Sequence, residues 1–160
     1  MTNATTSRVD ERVRALVERC GYAAAAITLL PIPGSDLVAV MPIHVGMVVR
    51  IGDAYRVDID RDSATKMILR IGAAVGLSLV GTSVARIAAK FLVPFAGGLI
   101  AAPMVFASTL AIGRVAQSYF EHGGELSDDE IRDLYRDAES RAKKAFDPRK
   151  AKSAGTTPDA

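Results

Sequence analysis

Val9, Val13, Leu16, Val17, Cys20, Ala24 and Ile27 recur at helical spacing, while Glu11, Arg14 and Glu18 occupy the opposite face in steps of three and four. This pattern predicts an amphipathic helix over residues 7–30, with Ser7 and Asp10 placed as its cap. From Gly21 onward the stripe turns apolar all round, which predicts burial. The helix is expected to stop by Ile32, because Pro33 excludes the helical conformation from the residue before it.

The stretch LLPIPGSDLVAVMP, residues 29–42, punctuates the apolar run. Pro31 and Pro33 end the first helix, Gly34 permits a turn, and Ser35 and Asp36 offer oxygens to the free amides of the next helix. That second helix continues to about Tyr55, with Pro42 either kinking or restarting it. A loop, RVDIDRD, leads to a third helix over roughly 61–90, and a fourth begins at Phe91. The last starts at SDDE, residues 127–130, a capping box, and aligns Ile131, Leu134, Tyr135, Ala138, Ala142 and Ala145. The expected fold is all-α with about five helices: a flexible N-terminus over 1–6, one helical domain over 7–146, and a disordered tail over 147–160, whose residues are polar and small.

Composition sharpens this. A chain of 160 residues accommodates one domain with a real core. Apolar residues make up 49% but aromatics only 6%, with no tryptophan, so the core is built from Ala, Val, Ile and Leu, as in close-packed helices. A net charge of +2 is too mild for a nucleic-acid partner. The single cysteine, Cys20, excludes an internal disulfide and a cysteine-based zinc site, and on the apolar stripe it acts as a small hydrophobe. The first residues lack the basic and apolar regions of a signal peptide.

Several stretches imitate chemical motifs. GLSLVGTS, residues 76–83, has the glycine spacing of a phosphate-binding loop, but Thr82 stands where the lysine is required. Gly72, Gly76 and Gly81, continued by Ala85 and Ala89, read instead as small residues that let helices approach closely. DIDRDS, residues 58–63, begins like a calcium loop, yet Ser63 replaces the turn glycine and Leu69 the bidentate glutamate. Asp60 and Asp62 are better placed at a helix N-terminus. His44 lies in an apolar helix with no metal-binding neighbour, and His122 in the EHGGE turn. No nucleophile elbow or carboxylate pair stands out, so no catalytic, cofactor-binding or metal residue is expected and the chain reads as a non-enzyme.

No charge occurs from Phe91 to Gly113, 23 residues, long enough to cross a bilayer core of about 30 Å. The third helix has 15 uncharged residues between Arg70 and Arg86, short of the usual minimum, although arginines can snorkel. Residues 67–113 are therefore expected to form a small-residue hairpin that associates with a membrane, with the termini in the cytoplasm.

The sequence PIPGSDLVAVMPIHVGMVVRIGDAYRVD, a small-residue helix, and TLAIGRVAQSYF with its following acidic helix together resemble the YcjF-like bacterial family known as domain of unknown function 697. The resemblance covers roughly residues 20–146. It implies structural signatures at Pro31, Pro33, Gly34 and Asp36, frequent membrane association, and partnership with small Era-like GTPase domains. The present sequence carries no GTPase domain, and histidine stands at position 44, where members of the family tend to have an amide. The resulting expectation is a non-enzymatic scaffold or adaptor at the bacterial inner membrane or its cytoplasmic face, binding membrane lipid and acting by homo-oligomerisation or with a GTPase in trans. The competing reading is a soluble cytoplasmic bundle that binds a lipid or other apolar ligand between its helices.

Overall fold

The computed structural model describes residues 2–29, 36–77 and 97–156, with side chains over 7–29, 40–76 and 101–156. These residues are all-α without strands: α1 (Thr2–Thr28), α2 (Asp36–Ala54), α3 (Arg61–Leu77), α4 (Gly97–Glu121), α5 (Asp128–Ala145) and α6 (Pro148–Thr156). Six helices thus stand among the described residues where about five were expected. The addition is α6, inside the segment expected to be a disordered tail. Asp147 caps it, its Oδ1 accepting from the Arg149 amide at 2.9 Å, and Pro148 occupies the first helical position, where a missing N–H costs nothing. Nine residues would not hold a helix in isolation, but Ala151 is fully buried and Lys150 reaches Glu18 on α1 at 3.1 Å.

The first helix also departs from expectation. It begins at Thr2, so residues 2–6 continue the helical backbone and Ser7 lies within it rather than capping it. TNATT contains no glycine or proline to break the turn. At the far end the Thr28 hydroxyl donates to the Ala25 carbonyl at 2.7 Å. Helix α2 runs without interruption through Pro42. Asp60 caps α3, accepting from the Ser63 amide at 2.7 Å, and this hydrogen bond holds its carboxyl below the usual carboxylate range. Ser127 and Glu130 form the expected capping box on α5. The turn before it needs left-handed backbone at Gly123 and Gly124, with φ of 71° and 94°.

Helices α1 and α4 run antiparallel in close contact. A methyl group on Gly113 would lie 2.6 Å from Val17 Cγ1, and one on Gly21 would strike Leu110 and come within 3.0 Å of Phe106. By contrast, a methyl on Gly72 or Gly76 would meet no described atom within 4 Å, and Gly72 is exposed. The larger part of the core, with Val13, Val48, Ile51, Ile71 and Val115 at its centre, lies between α1, α2, α3 and α4. A second cluster of Tyr22, Ala25, Ala102, Phe106, Ala142 and Ala151 joins α1, α4, α5 and α6.

Among the described residues no helix is long and apolar enough to cross a membrane. The transmembrane segment expected over 91–113 lies partly outside them. In its described part, Ala102, Phe106, Ala107, Ala111 and Ile112 are buried within the bundle, so the apolar pattern there serves the core.

Candidate functional site

Helices α1, α4, α5 and α6 enclose a groove of about 880 Å3. Its floor is apolar, formed by Val17, Leu110 and Gly113, and Tyr22 and Phe106 wall one end. The close α1–α4 approach permitted by Gly113 and Gly21 sets that floor. The rim carries both signs of charge along each helix: Asp10, Arg14 and Glu18 on α1, Arg114 and Glu121 on α4, Asp137 and Arg141 on α5, with Asp147 and Lys150 at α6.

At one end the groove is tied by a polar cluster. The Tyr55 hydroxyl lies 2.9 Å from both Asp10 Oδ1 and Glu121 Oε1, and Gln117 Nε2 lies 2.8 Å from Glu121 Oε1, 3.0 Å from the Tyr55 oxygen and 3.3 Å from Asp10 Oδ1. One hydroxyl and one amide supply three hydrogens for these five approaches, so the donors are shared. Burial, reinforced by the two carboxylates, holds the Tyr55 phenol well above its ordinary value. The cluster ties α1 and α4 to Tyr55, the residue that follows α2, beside their apolar core.

At the other end, Tyr22 packs on Phe106 with ring centroids 4.4 Å apart, and Phe146 closes the trio at 5.4 Å from Phe106. The Asp147 amide donates to the Tyr22 hydroxyl at 3.3 Å, and Lys150 stands 5.5 Å over the Tyr22 ring. The carboxylates on the rim have partners: Glu18 binds Lys150, Asp137 binds Arg141 and Asp147 binds Arg149. Such a surface recognises by shape and charge pairing. Its lining contains no serine, threonine, cysteine or histidine.

The histidines lie elsewhere. His44 is buried on α2 and faces α4, its Nε2 at 2.9 Å from Thr109 Oγ1. The Thr109 hydroxyl donates to the Val105 carbonyl at 2.8 Å, so its oxygen accepts and His44 carries its proton on Nε2. Burial pushes the His44 pKa down to about 4. His122 is exposed, and its Nδ1–H donates to the Ser118 carbonyl at 2.7 Å. Cys20 is half-buried, and burial raises its thiol pKa against the opposing pull of Arg50. Among the described residues no group of three or more His, Cys, Asp or Glu side chains is arranged to hold a metal ion.

Of the signature residues whose side-chain positions are described, Gly72 and Gly76, neither lines the groove. Pro31, Pro33, Gly34 and Gly81 lie outside the described residues, Asp36 opens α2, and Gly72 and Gly76 lie on α3. The charged rim residues fall on polar helix faces that read in sequence as ordinary solvated surface. The one local signal for its closure is the pair Asp147–Pro148, a helix start that a disordered tail would not need.

The chain matches the model of the family described as Domain of unknown function (DUF697) over residues 1–144. It belongs to that family. The DUF697 match covers α1 to α5, leaving α6 beyond it. The chain is similar to magnetosome membrane protein 22 of Magnetospirillum gryphiswaldense, at 32% identity over 122 residues, 71% of this chain. It spans 62% of the length of that relative. No solved structure matches.

Proposed function

We propose that this DUF697 protein is a non-enzymatic, membrane-associated helical adaptor. The observation that carries the reading is the similarity over 122 residues to a relative that is named a magnetosome membrane protein. The groove supports the adaptor part, since an apolar floor between charge-matched rims suits a helical segment of a protein partner better than an acyl chain. The partner is a second copy of the chain or a GTPase domain in trans, at the inner membrane or its cytoplasmic face.

Fractionation of cells expressing the full chain tests the proposal. The protein is expected to sediment with the membranes at low salt, and extraction with alkaline carbonate then distinguishes peripheral from integral attachment. Complete recovery in the soluble fraction at low salt would overturn membrane association. The adaptor role is tested separately by Arg141→Glu with Arg114→Glu, both exposed on the rim, which is expected to abolish crosslinking to a neighbouring chain while the helical circular dichroism is kept.

A further inference from the structure

Charge is not evenly spread over the bundle. Residues 140–156 hold six basic side chains, Arg141, Lys143, Lys144, Arg149, Lys150 and Lys152, against the single acid Asp147, a net +5 in a chain of net +2. All six are exposed. Counting the acidic partners Glu18, Asp137 and Glu139 still leaves the corner positive, and Lys144 and Lys152 form no ion pair among the described residues.

Lys143 and Lys144 lie in the last turn of α5, where the helix dipole favours cations, so helix stability accounts for part of this charge and not for the rest. Arg149 and Lys150 occupy the first turn of α6, where the helix dipole favours acids. The corner also has a definite place. Gly155 lies beside Ala26, so α6 ends next to the C-terminal end of α1. Because α4 runs antiparallel to α1, its first residue, Gly97, lies at this same end. Met104, 43% exposed, is on the neighbouring part of α4.

Resting on the membrane-associated reading above, we infer that the α5–α6 corner is the contact with an anionic lipid surface, and that it orients the bundle with this end towards the bilayer. A basic, exposed corner with an exposed methionine at the same end of the bundle is complementary to anionic headgroups over hydrocarbon. Nucleic acid would demand positive charge alone. Long side chains such as Lys144 and Lys152 reach headgroups without unfolding either helix.

The test is flotation of the full chain with vesicles of phosphatidylcholine, with or without phosphatidylglycerol. Binding is expected only with the anionic lipid, and it weakens as salt rises from about 0.1 M to about 1 M. Lys144→Gln with Lys152→Gln lowers affinity about thirtyfold, from about fivefold per basic residue at an anionic surface. Arg12→Gln with Lys66→Gln removes the same charge at the opposite end and leaves affinity within about twofold. Equal binding to neutral vesicles, equal effects of the two variant pairs, or tighter binding to duplex DNA at matched phosphate concentration would each overturn the assignment. If native membranes retain the Lys144→Gln/Lys152→Gln protein as well as the wild type, membrane association stands and the corner's role falls. If they retain neither, both fall.

Discussion

Lowering the pH from 8 to 5 is expected to remove about 2 kcal/mol of stability through His44 alone. The imidazole is buried between α2 and α4 and is neutral, with its Nε2–H donated to Thr109. Its folded pKa of about 4 lies below the ordinary 6.5, so the unfolded chain binds the proton more readily. Stability from this source is therefore complete above pH 6.5 and is lost as the pH falls towards 4. A gap of about two and a half units corresponds to about 3 kcal/mol over the whole window, about two-thirds of it gone by pH 5. Against a typical domain stability of about 5–15 kcal/mol this is readily measured. The assay is urea denaturation of the wild type and His44→Gln at both pH values. Glutamine keeps an N–H within reach of Thr109 but does not titrate, and contributions from distant carboxylates cancel in the difference. Wild type should lose about 2 kcal/mol more than the variant between pH 8 and 5. Equal losses in the two proteins would refute the reasoning, because His44 would then be protonated in the fold at no cost.

Three further outcomes follow from packing and capping. Gly113→Ala should destabilise by about 1–3 kcal/mol in thermal or urea unfolding, because the new methyl meets Val17, and Val17→Ala in the same chain should recover part of the loss. Ser127→Ala removes the side chain that caps α5 and should cost about 1 kcal/mol by the same measurement, with Ser127→Asp largely restoring it. Phe146→Ala takes one ring from the aromatic trio that holds α6, and limited trypsin digestion should then cut at Arg149, Lys150 or Lys152 before any site in α1. Cleavage in α6 at the wild-type rate would show that Ala151 and the Lys150–Glu18 pair hold the helix without it.

The helices of this chain are legible in its sequence where local chemistry decides them. The SDDE box gave the start of α5, Asp60 the start of α3, and the apolar stripe of α1 is buried at Val13, Val17 and Ala24 as its period demands. The failures come from tertiary context. Residues 148–156 have a composition that cannot form a core, but they order because α1 offers Glu18, Tyr22 and Ala26 as a surface to lie on. Gly21 and Gly113 look like weak points within two helices, and only the packed pair reveals that each makes room for the other helix's side chain. The groove was illegible for a related reason. Asp10, Arg14, Glu18 and Gln117 sit on faces whose pattern means solvent, and nothing in one helix's periodicity tells which solvated faces will confront each other. The family resemblance was legible, because it rests on runs of sequence within residues 20–146, and the family match covers residues 1–144.

The same packing bears on how the protein could meet a membrane. A high apolar fraction first points to insertion, but the buried set is dominated by alanine and valine packed helix against helix, with Ala24, Ala25, Ala64, Ala107, Ala111 and Ala116 wholly enclosed. Among the described residues, Val57, Leu69 and Met104 are the exposed large hydrophobics, and they lie on different elements. Three scattered side chains make no continuous apolar face, and burying each fully would contribute about 1.5–3 kcal/mol, of which partial exposure leaves less to gain. The exposed basic corner at residues 140–156 is the larger resource: six charges near an anionic surface contribute about 1 kcal/mol each at low salt before their internal ion pairs are discounted. Contact made through these helices is therefore governed by electrostatics and is reversible by salt, whereas a salt-resistant attachment would draw on residues other than those described. The salt dependence of flotation separates the two modes without any substitution at all.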